Sequence, residues 1–253
     1  MARKVIYTVL TGGYDRLEQP AVVDPSYDYI CFTEKDGKDG VWQLRKIPFE
    51  TPDNITRARY SKLQPHVVLP EYEYSVFMDA NLCIIGPEFY EKVEAAIARG
   101  DSFAVVEHPQ RDCVWEELRY CFLKEKLTAG QAFRHHRYLK SIGMPRHAGL
   151  YETNILLRAH NQPEIQALDN AWWQAYCNCC TRDQLTLTPS LFLAQYRPAL
   201  LLGPGLCSRN VPYVRYTLHP RTGKENVPGK LNWANLSYRL RLLLRKFLLL
   251  WLR

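Results

Sequence analysis

The chain has 253 residues, of which 47% are hydrophobic and 23% charged, so it is a folded globular chain rather than a disordered one. Its formal net charge is +7. Five basic residues with no acidic one among them fill part of the last fifteen positions (Arg239, Arg241, Arg245, Lys246, Arg253), which leaves about +2 for the body and argues against a surface that coats nucleic acid.

Lys4–Leu10 is a short apolar, β-branched run that stops at Thr11-Gly12-Gly13, the pattern of a buried strand and a glycine turn. Tyr27–Phe32 is a second strand, Lys35–Gly40 a charged surface turn, and Val41–Ile47 a third strand. Pro52–Leu63 predicts a helix, with Pro52 in the first turn and Asp53 at the positive end of its dipole. Tyr74–Met78 is a strand that runs into Asp79-Ala80-Asn81. Pro87–Arg99 is an amphipathic helix with Phe89, Val93, Ala96 and Ile97 on one face and Gly100 as its stop. Ser102–Val106 is a strand, Val114–Lys126 and Gln131–Ser141 are helices, and Tyr151–Leu157 is a strand. Pro163–Tyr176 and Asp183–Gln195 are helices, the second starting or kinking at Pro189, and Leu200–Leu202 is a short strand. Strands that alternate with helices indicate an α/β domain with a largely parallel sheet.

Among the eight cysteines a ribbon or finger zinc site is not indicated. The cluster Cys177-Asn178-Cys179-Cys180 invites a metal reading, against which stands a set of small buried hydrophobes after a helix. The apolar start Val5–Leu10 is too short for a signal-peptide core, and no run approaches the length that crosses a bilayer. A reduced, cytoplasmic protein with free thiols is expected.

Asp79 and Asn81 leave a strand on the same side, where an acid and an amide oxygen suit a hard divalent cation; a polar turn is the alternative. Thr11-Gly12-Gly13-Tyr14-Asp15 lets backbone N–H groups approach a nucleotide, with Tyr14 able to stack on a base, but it is neither a GxGxxG nor a P-loop motif. Arg59 and Lys62 share a helix face, which suits a diphosphate as well as solvent, while Arg57 points elsewhere. Glu107-His108-Pro109-Gln110-Arg111-Asp112 is dense in titratable groups at a strand-to-helix passage, with Asp112 a candidate helix cap. Tyr151-Glu152-Thr153-Asn154 and Arg182-Asp183-Gln184 each put a carboxylate beside an amide, as sugar recognition requires, and one carboxylate could serve as a general base; Asp183 also reads as an N-cap. His219 is a lone histidine and a possible third metal ligand.

In order, the segments YTVLTGGYD, DYICFTE, RARYSKLQPHVVLPEYEYSVFMDANLCI, EHPQRDCVWEEL, YETNILLRAHN and RDQLTLTPSLFLA resemble the mucilage-related glycosyltransferase-like family over roughly residues 4 to 220. More broadly, the chain is similar to bacterial capsule and O-antigen glycosyltransferases of the GT-A type. The resemblance implies a GT-A fold, a Rossmann-like, mostly parallel central sheet flanked by helices, over 1–222. It also implies a nucleotide-diphosphate-sugar donor, a UDP-sugar first, and a Mn²⁺ or Mg²⁺ ion. Asp79-Ala80-Asn81 stands where such enzymes carry Asp-x-Asp, with Asn81 in place of the second acid. By the same resemblance Asp79 touches metal or ribose, Asn81 touches metal, and Thr11 to Asp15 line the nucleoside. Arg59 and Lys62 face the donor, and His108, Arg111, Glu152, Asp183 and Gln184 face the sugar or the acceptor. For an inverting reaction Asp183 is the first choice of base and Glu152 the second. A non-catalytic glycan-binding scaffold with a decayed site is the alternative. A nucleotidyltransferase fits less well, because Thr11–Asp15 holds no lysine or arginine.

Residues 223–253 read as a linker and a basic amphipathic helix. Trp233, Leu236, Leu240, Leu244, Phe247, Leu248 and Trp251 form one stripe, suited to an anionic bilayer surface and, with it, to a lipid-linked glycan acceptor on the inner face of the membrane. Docking on the body or a dimer seam is the alternative.

Overall fold

The computed structural model describes residues 2–13, 16–217 and 233–252. The first strand, Lys4–Val9 (β1), is apolar on both sides because it is covered on both: Val5 and Tyr7 enter one core and Ile6 the other. Tyr27–Thr33 (β2), Gly37–Asp39 (β3) and Trp42–Lys46 (β4) follow, then helices Asn54–Leu63 (α1) and Pro65–Val68 (α2). Tyr74–Met78 (β5) and Leu82–Ile84 (β6) lead to helix Glu88–Ala98 (α3), strand Phe103–Glu107 (β7), and helices Val114–Leu123 (α4) and Ala129–Ser141 (α5). Tyr151–Arg158 (β8), helices Pro163–Asn178 (α6) and Asp183–Leu193 (α7), strands Ala199–Leu200 (β9) and Val214–Tyr216 (β10), and helix Trp233–Leu248 (α8) complete the order.

Eight strands form one sheet in the order β3-β4-β2-β1-β5-β8-β7-β9. The pairs β4–β2, β2–β1, β1–β5 and β7–β9 are parallel; β8 runs against both of its neighbours, and β3 against β4. This is the α/β layout expected, with α3 on one face of the sheet and α1, α6 and α7 on the other. A third core joins α4, α5 and the start of α7. The antiparallel sense of β8 has a consequence for chemistry. It brings the beginning of β8 to the edge where β1, β2, β5 and β7 end, the edge where open α/β sheets bind ligands.

Local departures from the sequence reading have physical reasons. Gly37–Asp39, expected as a turn, pairs with β4 as a wholly exposed edge strand. β6 and β10 form a separate antiparallel pair that three-residue runs could not announce. Thr128 and Gln131 close a capping box, so α5 starts two residues earlier than expected. The cap of α4 is Cys113, not Asp112, whose carboxylate instead meets His147 Nδ1 at 2.7 Å. The cap of α7 is Arg182, not Asp183, and the helix runs through Pro189 without restarting there. All eight cysteines are free thiols, and seven are buried, with Cys177 exposed.

α8 docks on the body by one side. Arg245 donates to the carbonyls of Phe122 (2.5 Å) and Leu127 (3.0 Å) and lies over the Phe122 ring, and Leu249 is buried in the third core. Leu240, Leu243, Leu244, Phe247 and Leu250 are exposed, whereas Leu248, expected on that same stripe, packs toward the body. Among the described residues no helix is long and apolar enough to cross a membrane.

Candidate functional site

α1 begins where the Asp53 carboxylate accepts the N–H groups of Ile55 (3.2 Å) and Thr56 (3.1 Å). It ends against the sheet. The buried Arg158 guanidinium donates to the Lys62 carbonyl (2.6 Å) and is itself paired with Asp169 (2.9 Å), and the Tyr7 hydroxyl donates to the same carbonyl (3.1 Å). The last turn of α1 is thereby fixed under the end of β5. From it the Lys62 ammonium, 1% exposed, reaches Asp183 Oδ2 at 2.6 Å and Asp79 Oδ1 at 3.5 Å. Arg59 Nε lies 3.3 Å from Asp183 Oδ1, and Thr153 Oγ1 donates to Asp183 Oδ2 (2.9 Å). Arg57 turns away to Glu50 and the Thr51 carbonyl. Burial alone would raise the Asp183 carboxyl, but Arg59, Lys62 and the adjacent Arg182 hold it well below the usual carboxylate range.

Between Ala104 and Val106 the β7–β8 ladder slips, so that Ala104 pairs with Leu157 but Val106 with Glu152. Along β8 successive side chains alternate between the two faces. Thr153 faces Lys62 and Asp183, while Glu152 and Asn154 face a loop beyond β9, where Arg209 pairs with Glu152 and Asn154 donates to Ser208 Oγ (2.8 Å). Burial pushes the Glu152 carboxyl up against the pull of Arg209. The two carboxylates expected to share one role are therefore opposite in character. Asp183 is the ionised centre of a cation cluster, and Glu152 is a carboxyl that holds its proton more readily.

Gly12 and Gly13 both adopt left-handed φ, +64° and +62°. A Cβ on Gly12 would stand 2.7 Å from Asn54 Nδ2, which would have to turn aside, and the left-handed φ itself favours glycine. The Gly12 N–H donates to Glu34 (2.6 Å) and Thr11 Oγ1 to the Asn54 carbonyl (3.1 Å). Tyr14, Asp15 and His219 lie outside the described residues.

Beyond β7 opens a cleft of about 820 Å³ lined by Glu107, His108, Arg111, Tyr151, Phe192 and Gly205 among others. Its floor is ordered. His108 Nδ1 accepts the N–H groups of Gln110 (3.2 Å) and Arg111 (3.0 Å), and burial lowers the pKa of the imidazole against the pull of the nearby Glu117. Arg111 pairs with the buried Glu117 at 2.6 Å and stacks over Tyr120. Gln184 donates to the Tyr151 carbonyl (3.3 Å), which spends its amide on the backbone rather than on open space.

Residues 26–192 match the TOD1/MUCI70 glycosyltransferase-like domain, about two thirds of the chain. The chain belongs to the TOD1/MUCI70 glycosyltransferase-like family. No curated protein sequence matches significantly. Among solved structures, the apo bifunctional glycosyltransferase WbbM is similar at 10% identity and a TM-score of 0.46, over 79% of this chain and 38% of that one. Mouse xyloside xylosyltransferase 1 in its apo form is similar at 11% identity and 0.45, over 77% of this chain and 84% of that one. Glycosyl transfer is thus the general class of chemistry for this TOD1/MUCI70 domain.

The divalent cation implied for such a site meets an unsuitable donor set here. Asn81 is 5% exposed, and its amide N–H donates to the Thr217 carbonyl (3.0 Å). Asp79 already faces the Lys62 ammonium. A hard dication seeks several oxygen ligands of net negative charge. The carboxylates at this edge of the TOD1/MUCI70 fold, Asp79, Glu152 and Asp183, each have a cation beside them. Among the described residues the one group of three His, Cys, Asp or Glu ligand atoms within 4.8 Å of one another is Cys113, Glu116 and His147, which excludes Asp79.

Arg209 and Glu34 were not singled out from the sequence. Arg209 sits in a loop whose local pattern says nothing of a return to β8. Glu34 closes the quoted DYICFTE segment, and its position one residue beyond β2 was the available clue.

Proposed function

We propose that this protein transfers a sugar from a nucleotide-diphosphate donor, a UDP-sugar first, to a hydroxyl of a surface-polysaccharide or lipid-linked glycan. The reading rests on one observation above all: Lys62, Arg59, Asp79, Asp183 and Glu152, drawn from three separate elements and a strand end, meet at the carboxyl edge of the sheet. In this reading the glycine turn at Gly12 receives the nucleoside, with Glu34 and Asn54 as its walls. The diphosphate faces Arg59 and Arg182, and the acceptor lies in the cleft between His108 and Tyr151. The acceptor oxygen attacks the anomeric carbon as the bond to the diphosphate oxygen breaks. If the reaction inverts, Glu152 takes the hydroxyl proton. This replaces the initial preference for Asp183, whose ionised state is too well stabilised by Lys62 and Arg59 to accept one. The exposed leucines and Phe247 of α8, with Lys246 beside them, support attachment to an anionic membrane surface on the cytoplasmic side.

The test is release of UDP, GDP or CDP from a panel of nucleotide sugars, alone and with extracts of lipid-linked glycans, by wild type, Asp79→Ala and Glu152→Gln. Turnover of one donor, lost in both variants, supports the reading. Glycan binding with no turnover of any donor would replace it with the scaffold alternative.

A further inference from the structure

We infer that the diphosphate of the donor is held by fixed side-chain cations and that the site needs no divalent metal. The inference rests on the donor site proposed above. It starts from charge. Around Lys62 and the start of β8 stand three carboxylates, Asp79, Glu152 and Asp183, and four cations stand against them: Lys62, Arg59, Arg182 and Arg209; Glu34 and Glu107, at the ends of β2 and β7, accept the N–H groups of Gly12 and Gly205 instead. The cluster is balanced or slightly cationic before any ligand enters. A dication placed on Asp79 would meet the buried Lys62 ammonium 3.5 Å from Asp79 Oδ1, and the two positive charges would repel. A diphosphate meets the reverse situation, because its negative charge is what the cluster lacks.

The position of Lys62 is built rather than incidental. A buried ammonium is tolerated only when it is paired and hydrogen-bonded. Lys62 has Asp183, Asp79 and the Thr153 hydroxyl (3.3 Å), and its nitrogen lies 4.5 Å from the centre of the Phe77 ring. Its backbone carbonyl is held by Arg158 and Tyr7. The second position of the acid motif fits the same picture. Asn81 carries no charge, and its amide N–H clasps Thr217, so it works as a structural joint and brings no negative charge toward a cation. Lys62 thus supplies from below Asp79 the positive charge that a metal would otherwise bring from above, and it keeps Asp79 oriented toward the donor.

Two measurements on the full chain decide this. The first is titration with Mn²⁺, followed by loss of the paramagnetic signal of the free ion, on wild type and Asp79→Ala without nucleotide. The two proteins are expected to behave alike, since any weak Mn²⁺ uptake would come from other carboxylates or from the Cys113 group. The second is calorimetric titration with UDP and, separately, GDP, in excess EDTA and in saturating Mn²⁺. The diphosphate that binds is expected to bind as well in EDTA, and at least about tenfold more weakly to Lys62→Met, because that change removes the positive charge beneath Asp79 and leaves two carboxylates uncompensated beside the ligand. Mn²⁺ binding by wild type that vanishes in Asp79→Ala, or diphosphate binding seen only with Mn²⁺, overturns the inference. If neither diphosphate binds under either condition, the donor-site reading itself fails, and the nucleotide-free Mn²⁺ comparison still decides whether Asp79 is a metal site. Both wild-type arms stand even if Lys62→Met does not fold.

Discussion

Lys62 and Asp183 form an ion pair of 2.6 Å in which neither side chain is more than 7% exposed. They come from the end of α1 and the first residue of α7, and they lock the two helices together beneath the sheet edge. Removing one partner strands the other. Asp183→Asn is expected to destabilise the fold by about 3 kcal/mol, the scale for breaking a buried pair. Lys62→Met combined with Asp183→Asn should cost less than the two single changes added. Urea denaturation of the four proteins gives the coupling, and strict additivity would show that the pair carries no energy of its own.

The pH dependence of turnover distinguishes Glu152 from Asp183 as base. A base works when deprotonated, so the rate rises with pH through its pKa. Burial raises the Glu152 carboxyl, so the acid limb should lie above the ordinary glutamate range. Arg209 pulls in the opposite direction, and Arg209→Gln should therefore move the limb to higher pH. Glu152→Gln should lose turnover by roughly 10²–10⁴-fold. An acid limb that stays in place in Arg209→Gln would count against this assignment.

Acid stability carries a separate signature. His135 and His160 are buried and lowered from 6.5 to about 4. His160 holds two contacts in its neutral form, Nδ1 with Ser75 Oγ and Nε2 with the Leu69 carbonyl, each at 2.9 Å. Between those two pH values the unfolded chain binds protons that the folded chain refuses, so each histidine removes stability as pH falls, by up to about 1.4 kcal/mol per unit. Asp169 and Glu152, raised by burial, act in the opposite sense. The histidine share is read as a difference: His160→Gln should flatten the fall in stability between about pH 6.5 and pH 4 by up to one proton. Parallel curves for variant and wild type would refute it.

α8 offers a division of labour between its two sides. Leu243→Asp with Phe247→Asp changes only exposed positions and should abolish sedimentation with phosphatidylglycerol vesicles while leaving the melting temperature unchanged. Arg245→Ala should instead lower the melting temperature, because the Phe122 carbonyl in the last turn of α4 and the Leu127 carbonyl in the α4–α5 connection lose their donor. Vesicle binding that survives the double aspartate variant would end the membrane reading.

Much of this fold is legible in the sequence because doubly covered strands announce themselves. KVIYTV, YSVFM and FAVVE are continuous apolar runs closed by polar residues, and each is a strand of the central sheet. What escaped has little local pattern to offer. Gly37–Asp39 has no buried side chain, and Val214–Tyr216 has one. The site was legible as residue types more than as partnerships. Asp79, Arg59, Lys62 and Asp183 could be picked out as charged groups at element ends. That Lys62 would bury its ammonium between two carboxylates depends on how α1 and α7 pack, and periodicity does not encode that. The ionised character of Asp183 is hidden from the sequence for the same reason: a carboxylate's basicity is set by neighbours distant in the chain.

The small pair β6–β10, with the Asn81–Thr217 hydrogen bond at its end, also bears on the order in which the molecule is completed. All eight strands of the main sheet have been synthesised by Leu200, and their mutual pairing needs nothing further along the chain. The clasp on Asn81 cannot close until Thr217 has emerged, and it joins segments separated by most of the protein's length, with the loop-closure entropy that entails. A nascent or truncated chain ending before Val214 would therefore have the scaffold of the domain and its buried Lys62–Asp183 pair, but an unfinished lip beside Asp79. Competence at the donor site would then arrive as a late step, after the bulk of the fold is secure.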